Sequence, residues 1–325
     1  MKLFALDASK IFGEHVADNL GLPLSPHEER EFEDGEHKAR PLVSVRGSDT
    51  YVIQSLHGGP EQSVNDKLIR LLFFIGTLRE GGAQRITAMI PYLAYARKDR
   101  QTKARDPVTT RYLAQIIESV GVNAVVTLDV HNIVAFQNAF RARAWHLDTR
   151  RLFIAHLLPT LGDDAIAVAS PDPGGVKRAQ LFQEMLESAL ERPVGAAFME
   201  KRRSVGVVSG SLLVGDVEGA TAIVVDDMIA SGGTMLRTAE ALLDHGAKRI
   251  IALAGHGVFT GGAAEVLERP EVDRWLVTDT IPPFRLPPGL AQRRLEVISA
   301  APLFAEAIRR LHENGSLTEL LEGEV

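Results

Sequence analysis

Two adjacent carboxylates followed by hydroxyl and glycine residues stand out in the stretch AIVVDDMIASGGTM, residues 222–235. Glycines let backbone N–H groups approach a phosphate, hydroxyls add donors, and a following helix N-terminus supplies partial positive charge. The predicted phosphate loop comprises Ser231, Gly232, Gly233 and Thr234. Asp226 and Asp227 would then contact hydroxyls attached to that phosphate, or a metal, so a sugar phosphate fits both parts of the motif. The alternative is an acidic helix-capping turn.

A second glycine loop lies in VASPDPGGVKRAQLF, residues 168–182. A predicted strand ends before Asp172, two glycines follow, and Lys177 and Arg178 open a helix. Basic residues beside a helix N-terminus suit a polyphosphate, and Asp172 suits a metal or a sugar hydroxyl. The alternative is a β-turn stiffened by its two prolines.

A basic run, MEKRRS at 199–204, lies between these two loops in the sequence. On a mobile segment, Lys201 and Arg203 could close over a phosphoryl group and stabilise charge that develops in a transition state. A run of this kind is equally consistent with a solvated surface. Its position between two anion loops favours the catalytic interpretation.

In the amino-terminal half, LDVHN at 128–132 places Asp129 and His131 at the end of a predicted strand. Alternate strand residues project the same way, so both could reach one metal or one proton, although such a pair is more often structural. The preceding segment PYLAYARKDRQTKARDP suits nucleotide phosphates because it gathers five cations: Arg97, Lys98, Arg100, Lys103 and Arg105.

The stretch REFEDGEHK near the amino terminus combines an aromatic ring with carboxylates. Phe32 could stack on a nucleobase, while Asp34 or Glu36 could accept a hydrogen bond from an exocyclic amine or a ribose hydroxyl. Taken alone, the stretch is most simply a solvated turn.

Short apolar, β-branched runs that alternate with helical periodicity must position these residues. The predicted strands lie at 50–56, 85–93, 124–130, 165–171, 221–227, 249–259 and 274–281. The predicted helices include 65–80, 109–119 and a last amphipathic helix at 301–312. This alternation predicts parallel sheets covered by helices on both faces, with ligands at the carboxyl ends of the strands.

Composition indicates an ordinary globular protein. A chain of 325 residues predicts two domains, and a net charge of -6 gives no sign of a nucleic-acid or membrane surface. The chain has no cysteine, which excludes disulfides, thiolate catalysis and cysteine zinc sites. Because the start resembles no signal peptide and no long apolar run follows, we expect a cytoplasmic protein.

Taken in order, these segments resemble the ribose-phosphate pyrophosphokinases, also called phosphoribosyl pyrophosphate synthetases. The matching motifs are FEDGE, SVRGSD, YARKDR, LDVHN, SPDPGGVKRA, EKRRS, VGDVEGATAIVVDDMIASGGT, GHGVF, VTDTIP and AEAIRRLH. The resemblance implies an α/β protein with two phosphoribosyltransferase-type domains, each a mainly parallel sheet flanked by helices. The ATP-side domain would span 1–148 and the ribose-5-phosphate-binding domain 149–325, with the last helix able to pack back on the first domain.

The resemblance also implies an activity, the transfer of diphosphate from Mg-ATP to the 1-hydroxyl of ribose 5-phosphate. The implied ATP-binding residues are Phe32, Asp34, Glu36, Arg97, Lys98 and His131. The implied catalytic residues are Lys201, Arg203 and His131, and the implied Mg²⁺ ligands are His131 and Asp172. The implied ribose-5-phosphate-binding residues are Asp226, Asp227, Ser231, Gly232, Gly233 and Thr234. Family members commonly self-associate as dimers or hexamers, with the adenine site completed by a neighbour.

The sequence departs from the family pattern at several positions. Ala230 stands where the family usually has aspartate, Ser231 where it usually has threonine, and Lys98 where glutamine is common. These departures leave three alternatives open. The chain could be a paralogue with altered pentose or nucleotide specificity, an enzyme working in the reverse direction, or a non-catalytic subunit of a synthetase. A nucleobase phosphoribosyltransferase fits less well, because it needs one such domain and no ATP site.

Overall fold

The computed structural model describes residues 1–204 and 207–322, and the side chains of those residues except for 201–211. The chain divides into two compact units. Of the described residues, one unit comprises 1–148 together with 300–322, and the other comprises those within 149–299.

A five-stranded parallel sheet in the order β1-β4-β5-β6-β7 forms the centre of the first unit. Its strands are β1 (Lys2–Ala5), β4 (Asp49–Ile53), β5 (Arg85–Ile90), β6 (Ala124–Leu128) and β7 (Arg143–Leu147). Its helices are α1 (Lys10–Leu20), α2 (Val64–Glu80), α3 (Thr109–Ser119) and α4 (Ile133–Ala139). A separate antiparallel hairpin pairs β2 (His27–Glu31) with β3 (His37–Pro41).

Apolar sequence and local capping explain these elements. Every residue of β6, with the sequence AVVTL, is buried, as expected of a parallel strand covered on both faces. The helix α2 begins with a capping box, in which the Ser63 hydroxyl accepts from the Asp66 N–H and the Asp66 carboxylate accepts from the Ser63 N–H. Its apolar face packs into a core that includes Phe4 and Phe74.

The carboxyl-terminal helices belong to the first unit rather than to the second. They are α10 (Ala301–Glu313) and α11 (Leu317–Glu322). The helix α10 packs against α1, with the rings of Phe12 and Phe304 edge to face at 5.4 Å between centroids. Burial of these aromatic rings attaches the end of the chain to the amino-terminal sheet.

The second unit is built on a seven-stranded sheet in the order β10-β9-β8-β11-β12-β13-β14, in which only the β9–β10 pair is antiparallel. Its strands are β8 (Ile166–Ser170), β9 (Gly195–Ser204), β10 (Val207–Val214), β11 (Thr221–Ile229), β12 (Arg249–Gly257), β13 (Arg274–Thr278) and β14 (Leu295–Ile298). Its helices are α5 (Arg150–Leu157), α6 (Val176–Leu190), α7 (Gly233–Asp244), α8 (Ala263–Leu267) and α9 (Pro288–Arg294).

Alternate residues of β11 enter two different cores. Val224 packs into the core that includes Leu242 of α7, whereas Ile223 and Val225 pack into the core that includes Phe182 of α6. The central strand is therefore apolar throughout its first half, because both faces of the sheet are covered.

The predicted fold class, mainly parallel sheets flanked by helices, is confirmed in both units. The predicted strands and the three predicted helices are present, with ends shifted by a few residues. The hairpin of β2 and β3 was not predicted, and neither was β9 at the basic run. Within the described ranges, no helix combines the length and the apolar character needed to cross a membrane.

Candidate active site

Two chemically suggestive segments of the second unit lie at the same edge of its sheet. The strands β8 and β11 are parallel neighbours, with Ala169 opposite Val224. The turn that contains Asp172 therefore leaves the sheet beside Asp226 and Asp227. The strand β11 continues to Ile229, two residues beyond its predicted end at 227, so both carboxylates lie within the strand.

Arg178 of α6 binds both carboxylates of the pair. Its Nη1 lies 3.5 Å from Oδ1 of Asp226 and 3.4 Å from Oδ1 of Asp227. The Asp227 N–H also donates to Oδ1 of Asp226, at 2.8 Å. Asp227 is buried, while Asp226 is partly exposed. The guanidinium thus offsets negative charge in the pair, a role different from the polyphosphate contact suggested by the sequence.

The carboxylate pair resists carrying two full charges. Burial and the adjacent Asp227 charge raise the pKa of Asp226 to about 8, although Arg178 acts in the opposite direction. At neutral pH, Asp226 therefore tends to retain a proton. Hydroxyl groups that donate to these oxygens would favour the charged form.

The turn that contains Asp172 is shaped by its own carboxylate. Oδ1 of Asp172 accepts from the N–H groups of Gly174 and Gly175, at 2.9 and 3.1 Å, and caps the short 3-10 turn that precedes α6. The Ser170 hydroxyl donates to the Asp172 carbonyl at 2.7 Å. Asp172 could therefore shape the turn and also contact a metal or a sugar hydroxyl, because the cap uses only one of its two carboxylate oxygens.

The predicted phosphate loop leads directly into α7. Gly232 has φ of +78°, a left-handed conformation that glycine adopts without strain, and a Cβ there would lie 2.8 Å from Cγ1 of Val266. The helix α7 begins at Gly233, so its positive end lies at the loop. Arg237 donates to the Thr234 hydroxyl at 3.2 Å, which places a positively charged side chain beside the loop. This arrangement suits a phosphate.

Ala230, where the family pattern has a carboxylate, contributes its backbone to the loop. Its carbonyl accepts from the Thr260 N–H at 2.9 Å, and the Ile229 carbonyl accepts from the Val258 N–H at 2.9 Å. The segment after β12 therefore supports the loop through the backbone, whatever side chain occupies position 230.

In the first unit, the loops after β5 and β6 contact each other. The side-chain Nδ2 of Asn132 donates to Oδ2 of Asp99 at 2.5 Å. The side-chain Oδ1 of Asn132 caps α4. Lys98 forms an ion pair with Asp106 at 2.5 Å and also donates to Thr102. The Lys98 ammonium thus closes its own loop, and its predicted ATP contact stays a prediction. Arg97 is exposed.

Asp129 and His131 differ in their surroundings. The strand β6 ends at Leu128, so the two residues follow the strand and the argument from strand alternation does not apply to them. Asp129 is buried with φ of +40°, and its N–H donates to the Leu147 carbonyl at 2.9 Å. His131 is exposed. The predicted roles of His131 in metal, ATP and catalysis stay predictions.

The remaining predicted nucleotide residues lie in the turn between β2 and β3. Phe32 is exposed, with the Arg30 guanidinium 5.2 Å from its ring centroid. The Asp34 carboxylate accepts from the Glu36 N–H at 3.1 Å, and the Glu36 carbonyl accepts from the Phe32 N–H. The turn is therefore ordered by its own contacts and presents the aromatic ring outward.

The predicted catalytic residues Lys201 and Arg203 belong by backbone to β9, opposite Ser211 and Val208 of β10. Their side chains lie outside the described part of the structure. Their predicted catalytic role therefore stays a prediction.

Comparisons with known proteins cover nearly the whole chain. Family models match the N-terminal domain of ribose phosphate pyrophosphokinase over residues 1–121, the phosphoribosyl transferase domain over 147–264, and the phosphoribosyl synthetase-associated domain over 207–322. The ribose-phosphate pyrophosphokinase of Caldanaerobacter subterraneus subsp. tengcongensis is 40% identical over 322 residues, which make up 98% of this chain and 97% of that protein. The chain belongs to the ribose-phosphate pyrophosphokinase family.

Other members of the ribose-phosphate pyrophosphokinase family agree with this assignment. The Aquifex aeolicus protein of that name is 35% identical over 320 residues, 98% of each chain. The crystal structure of phosphoribosylpyrophosphate synthetase from Mycobacterium smegmatis superimposes with a TM-score of 0.86 at 33% identity, covering 97% of this chain and 99% of that one. The predicted family and the predicted phosphoribosyltransferase-type fold are therefore confirmed.

Three features of the site in this pyrophosphokinase family member were not predicted from the sequence. The first is the pairing of Arg178 with the two carboxylates, because Asp226 lies 48 residues from Arg178 in the chain. The second is the support that the Thr260 N–H gives to the loop. Arg237 could have been found, because it lies three residues after Thr234 and so on the same face of the helix.

Proposed function

We propose that the chain transfers diphosphate from ATP to the 1-hydroxyl of ribose 5-phosphate, giving phosphoribosyl pyrophosphate and AMP. The observation that carries the proposal is the carboxylate pair Asp226 and Asp227, held by Arg178 and followed by the glycine loop at the start of α7. This site occurs in a chain that matches ribose-phosphate pyrophosphokinases from end to end.

The second unit would bind ribose 5-phosphate. The loop of residues 231–234 would bind the 5-phosphate through backbone N–H groups, hydroxyls and the positive end of α7, with Arg237 adding charge. Asp226 and Asp227 would accept hydrogen bonds from the ring hydroxyls.

The first unit would bind ATP. The loop that begins at Arg97 offers exposed cations to the phosphates, and Phe32 offers an exposed ring to a base. In the reaction, the sugar 1-hydroxyl loses its proton and its oxygen bonds to the β-phosphorus. The bond from that phosphorus to the oxygen bridging the α-phosphate breaks, and AMP leaves with that oxygen. Such a transfer depends mainly on positioning and charge stabilisation.

We propose that Asp172 helps to bind Mg²⁺, on the basis of the ligand preference of this ion. Mg²⁺ prefers oxygen ligands, and Asp172 offers a carboxylate at the sheet edge that carries Asp226. The imidazole of His131 fits Mg²⁺ less well than this carboxylate. When bound, Mg²⁺ would offset the charge of the phosphate oxygens.

Self-association is supported by exposed apolar side chains on two helices of the first unit. Ile69 and Phe73 lie one turn apart on α2, and Tyr112 and Ile116 lie one turn apart on α3; all four are exposed. Paired exposed apolar residues on a helix face are typical of protein interfaces. Light scattering coupled to gel filtration should show a species larger than the 35.4 kDa monomer.

The decisive experiment incubates the purified protein with ATP, ribose 5-phosphate and MgCl₂ and follows AMP and phosphoribosyl pyrophosphate. Lys201→Ala should lower kcat by about 10²-fold or more, as expected for removal of a charge contact made in the transition state. Lys248→Ala, which removes an exposed lysine of the same unit, is the control and should retain activity. Absence of product with every nucleoside triphosphate tried would contradict the proposal.

A further inference from the structure

The turn that follows β12 contains a strained residue beside the glycine loop. Phe259 has φ of +47°, in the left-handed region where a bulky side chain is rarely found. Glycine would adopt the same conformation without strain. Strained residues persist only where the surrounding structure holds them, and they cluster at ligand sites. A phenylalanine at this position therefore calls for a reason beyond the turn itself.

The turn directs three consecutive N–H groups at the chain just before the loop. The N–H groups of Val258 and Phe259 donate to the Ile229 carbonyl, at 2.9 and 3.1 Å. The Thr260 N–H donates to the Ala230 carbonyl at 2.9 Å. These carbonyls belong to the last residue of β11 and to the residue after it, immediately before the predicted phosphate loop. The turn thus fixes the direction in which the chain leaves β11.

The ring of Phe259 anchors the turn in the apolar core. It is 2% exposed and belongs to the cluster that includes Met235 of α7 and Leu267 of α8. A Cβ at Gly257 would lie 2.4 Å from Cε2 of the ring, so the ring lies directly against the backbone of β12. Glycine in place of Phe259 would leave the turn without this anchor. The buried ring therefore explains why the strained conformation is retained.

The chain after the turn contacts the loop a second time. The Thr260 carbonyl accepts from the Ala263 N–H at 3.1 Å, where α8 begins. Val266 of α8 lies against Gly232, since a Cβ at Gly232 would be 2.8 Å from its Cγ1. The loop is thus held at its start by backbone hydrogen bonds and at Gly232 by a side chain.

Buried polar groups fix the chain before the turn. His256 is 2% exposed, and its Nδ1 lies 2.8 Å from the Thr280 hydroxyl. The Thr278 hydroxyl donates to the Gly255 carbonyl at 2.5 Å. These hydrogen bonds join the carboxyl ends of β12 and β13. The turn therefore starts from a fixed position, and the ring of Phe259 holds its middle.

We propose that Phe259 is a positioning residue for sugar-phosphate binding. Its anchored turn holds the carbonyls of Ile229 and Ala230, and so keeps the loop of residues 231–234 in its phosphate-binding shape before the ligand arrives. A loop that is already ordered loses less conformational entropy on binding, which favours affinity. The inference rests on the proposed binding of the 5-phosphate by this loop.

The first test compares the full-length protein with Phe259→Gly, which relieves the strain and removes the ring. Calorimetric titration with ribose 5-phosphate should give a Kd on the order of tenfold higher in the variant, the factor expected when one more residue has to be ordered on binding. In steady-state assays, KM for ribose 5-phosphate should rise by a similar factor, while KM for ATP should stay unchanged.

Leu290→Ala is the matched control. Leu290 is 3% exposed in the same core, but it lies on α9, which packs against β14 at the edge of the sheet. The change opens a cavity without contacting the turn, so it should lower Tm and leave the Kd for ribose 5-phosphate unchanged.

Hydrogen exchange measured by mass spectrometry tests the positioning without any ligand. In the ligand-free protein, peptides that cover residues 229–236 should exchange faster in Phe259→Gly than in wild type and in Leu290→Ala. If wild type does not bind ribose 5-phosphate, the proposed function is contradicted, while the exchange rates still decide whether Phe259 orders the loop.

Equal loop exchange and equal Kd for ribose 5-phosphate in wild type and Phe259→Gly would overturn the proposal. An equal loss of affinity in Leu290→Ala would also overturn it, because that result would indicate general destabilisation. If circular dichroism shows that Phe259→Gly does not fold, Phe259→Leu decides the question, because leucine keeps an apolar side chain in the core but cannot cover Gly257 as a ring does. Unchanged exchange and affinity in Phe259→Leu then rule the role out.

Discussion

Replacing Arg178 with glutamine tests how the protonation of the carboxylate pair in the proposed sugar site is controlled. The Arg178 guanidinium lies within 3.5 Å of both Asp226 and Asp227, and its charge opposes the burial and the Asp227 charge that raise the pKa of Asp226. Glutamine can still donate a hydrogen bond but carries no charge. We therefore expect Arg178→Gln to keep Asp226 protonated up to a higher pH, and so to weaken ribose 5-phosphate binding near neutrality.

The size of the effect follows from the charge that is removed. An opposite charge in contact with a carboxylate shifts its pKa by about 1–3 units. Because the Arg178 side chain is 23% exposed and is shared by two carboxylates, the low end of about one unit applies. With the pKa of Asp226 raised to about 8 in wild type, a minority of molecules carry both charges at pH about 7. A rise of one further unit in the pKa of Asp226 reduces the doubly charged fraction about tenfold, which corresponds to about 1.4 kcal/mol of binding free energy.

The assay is calorimetric titration with ribose 5-phosphate from pH about 6.5 to about 10, a window that spans both pKa values. The ratio of the variant Kd to the wild-type Kd should be about tenfold at pH about 7 and should approach one at the alkaline end. Lys177→Gln, which removes the neighbouring exposed cation, is the control and should show no such trend. A ratio that stays constant across the range would refute the reasoning, because it would mean that Arg178 contacts the substrate directly.

Three further predictions concern the glycine loop, the carboxylate pair and the loop after β5. Gly232→Ala should lower Tm more than Gly219→Ala does. Both glycines have positive φ, so alanine at either position adds about 1–2 kcal/mol of backbone strain. Only at position 232 would the added Cβ also clash, with a valine of α8. Asp226→Asn should abolish sugar-phosphate binding yet raise Tm at neutral pH. Since the folded-state pKa of Asp226 is raised, stability falls as pH rises from about 4 to about 8, and this slope should flatten in the variant. Asp106→Asn should speed hydrogen exchange in the loop that its carboxylate closes through Lys98, measured by mass spectrometry.

The main sheets could be predicted because their strands carry the signal in their own composition. Runs such as AIVV in β11 are apolar on both faces, as expected of a parallel strand that is covered on both faces of the sheet. The hairpin could not be predicted in this way. Its strands read HEERE and HKARP, with charged residues at most positions. Their burial depends on distant partners, as when Glu29 accepts from the Asp7 N–H, 22 residues away.

The loop and the carboxylate pair of the proposed sugar site could be located from their spacing in the sequence, whereas the electrostatics of the pair could not. The glycines and hydroxyls of residues 231–234 have to follow one another to form an anion loop, so the sequence displays them together. The partner of Asp226 and Asp227 comes from α6, and nothing local to Arg178 distinguishes it from Lys177 beside it. The partner of Lys98 could not be predicted either. Its ammonium forms an ion pair with Asp106, eight residues later in the same loop.

The carboxylate pair is best understood as an arrangement that favours ligand binding at a cost in stability. In the protein alone, burial and the adjacent Asp227 charge both raise the pKa of Asp226, and the Arg178 guanidinium offsets them only in part. A carboxamide at either position would relieve the repulsion between the two charges, yet it could not accept as strongly from two sugar hydroxyls.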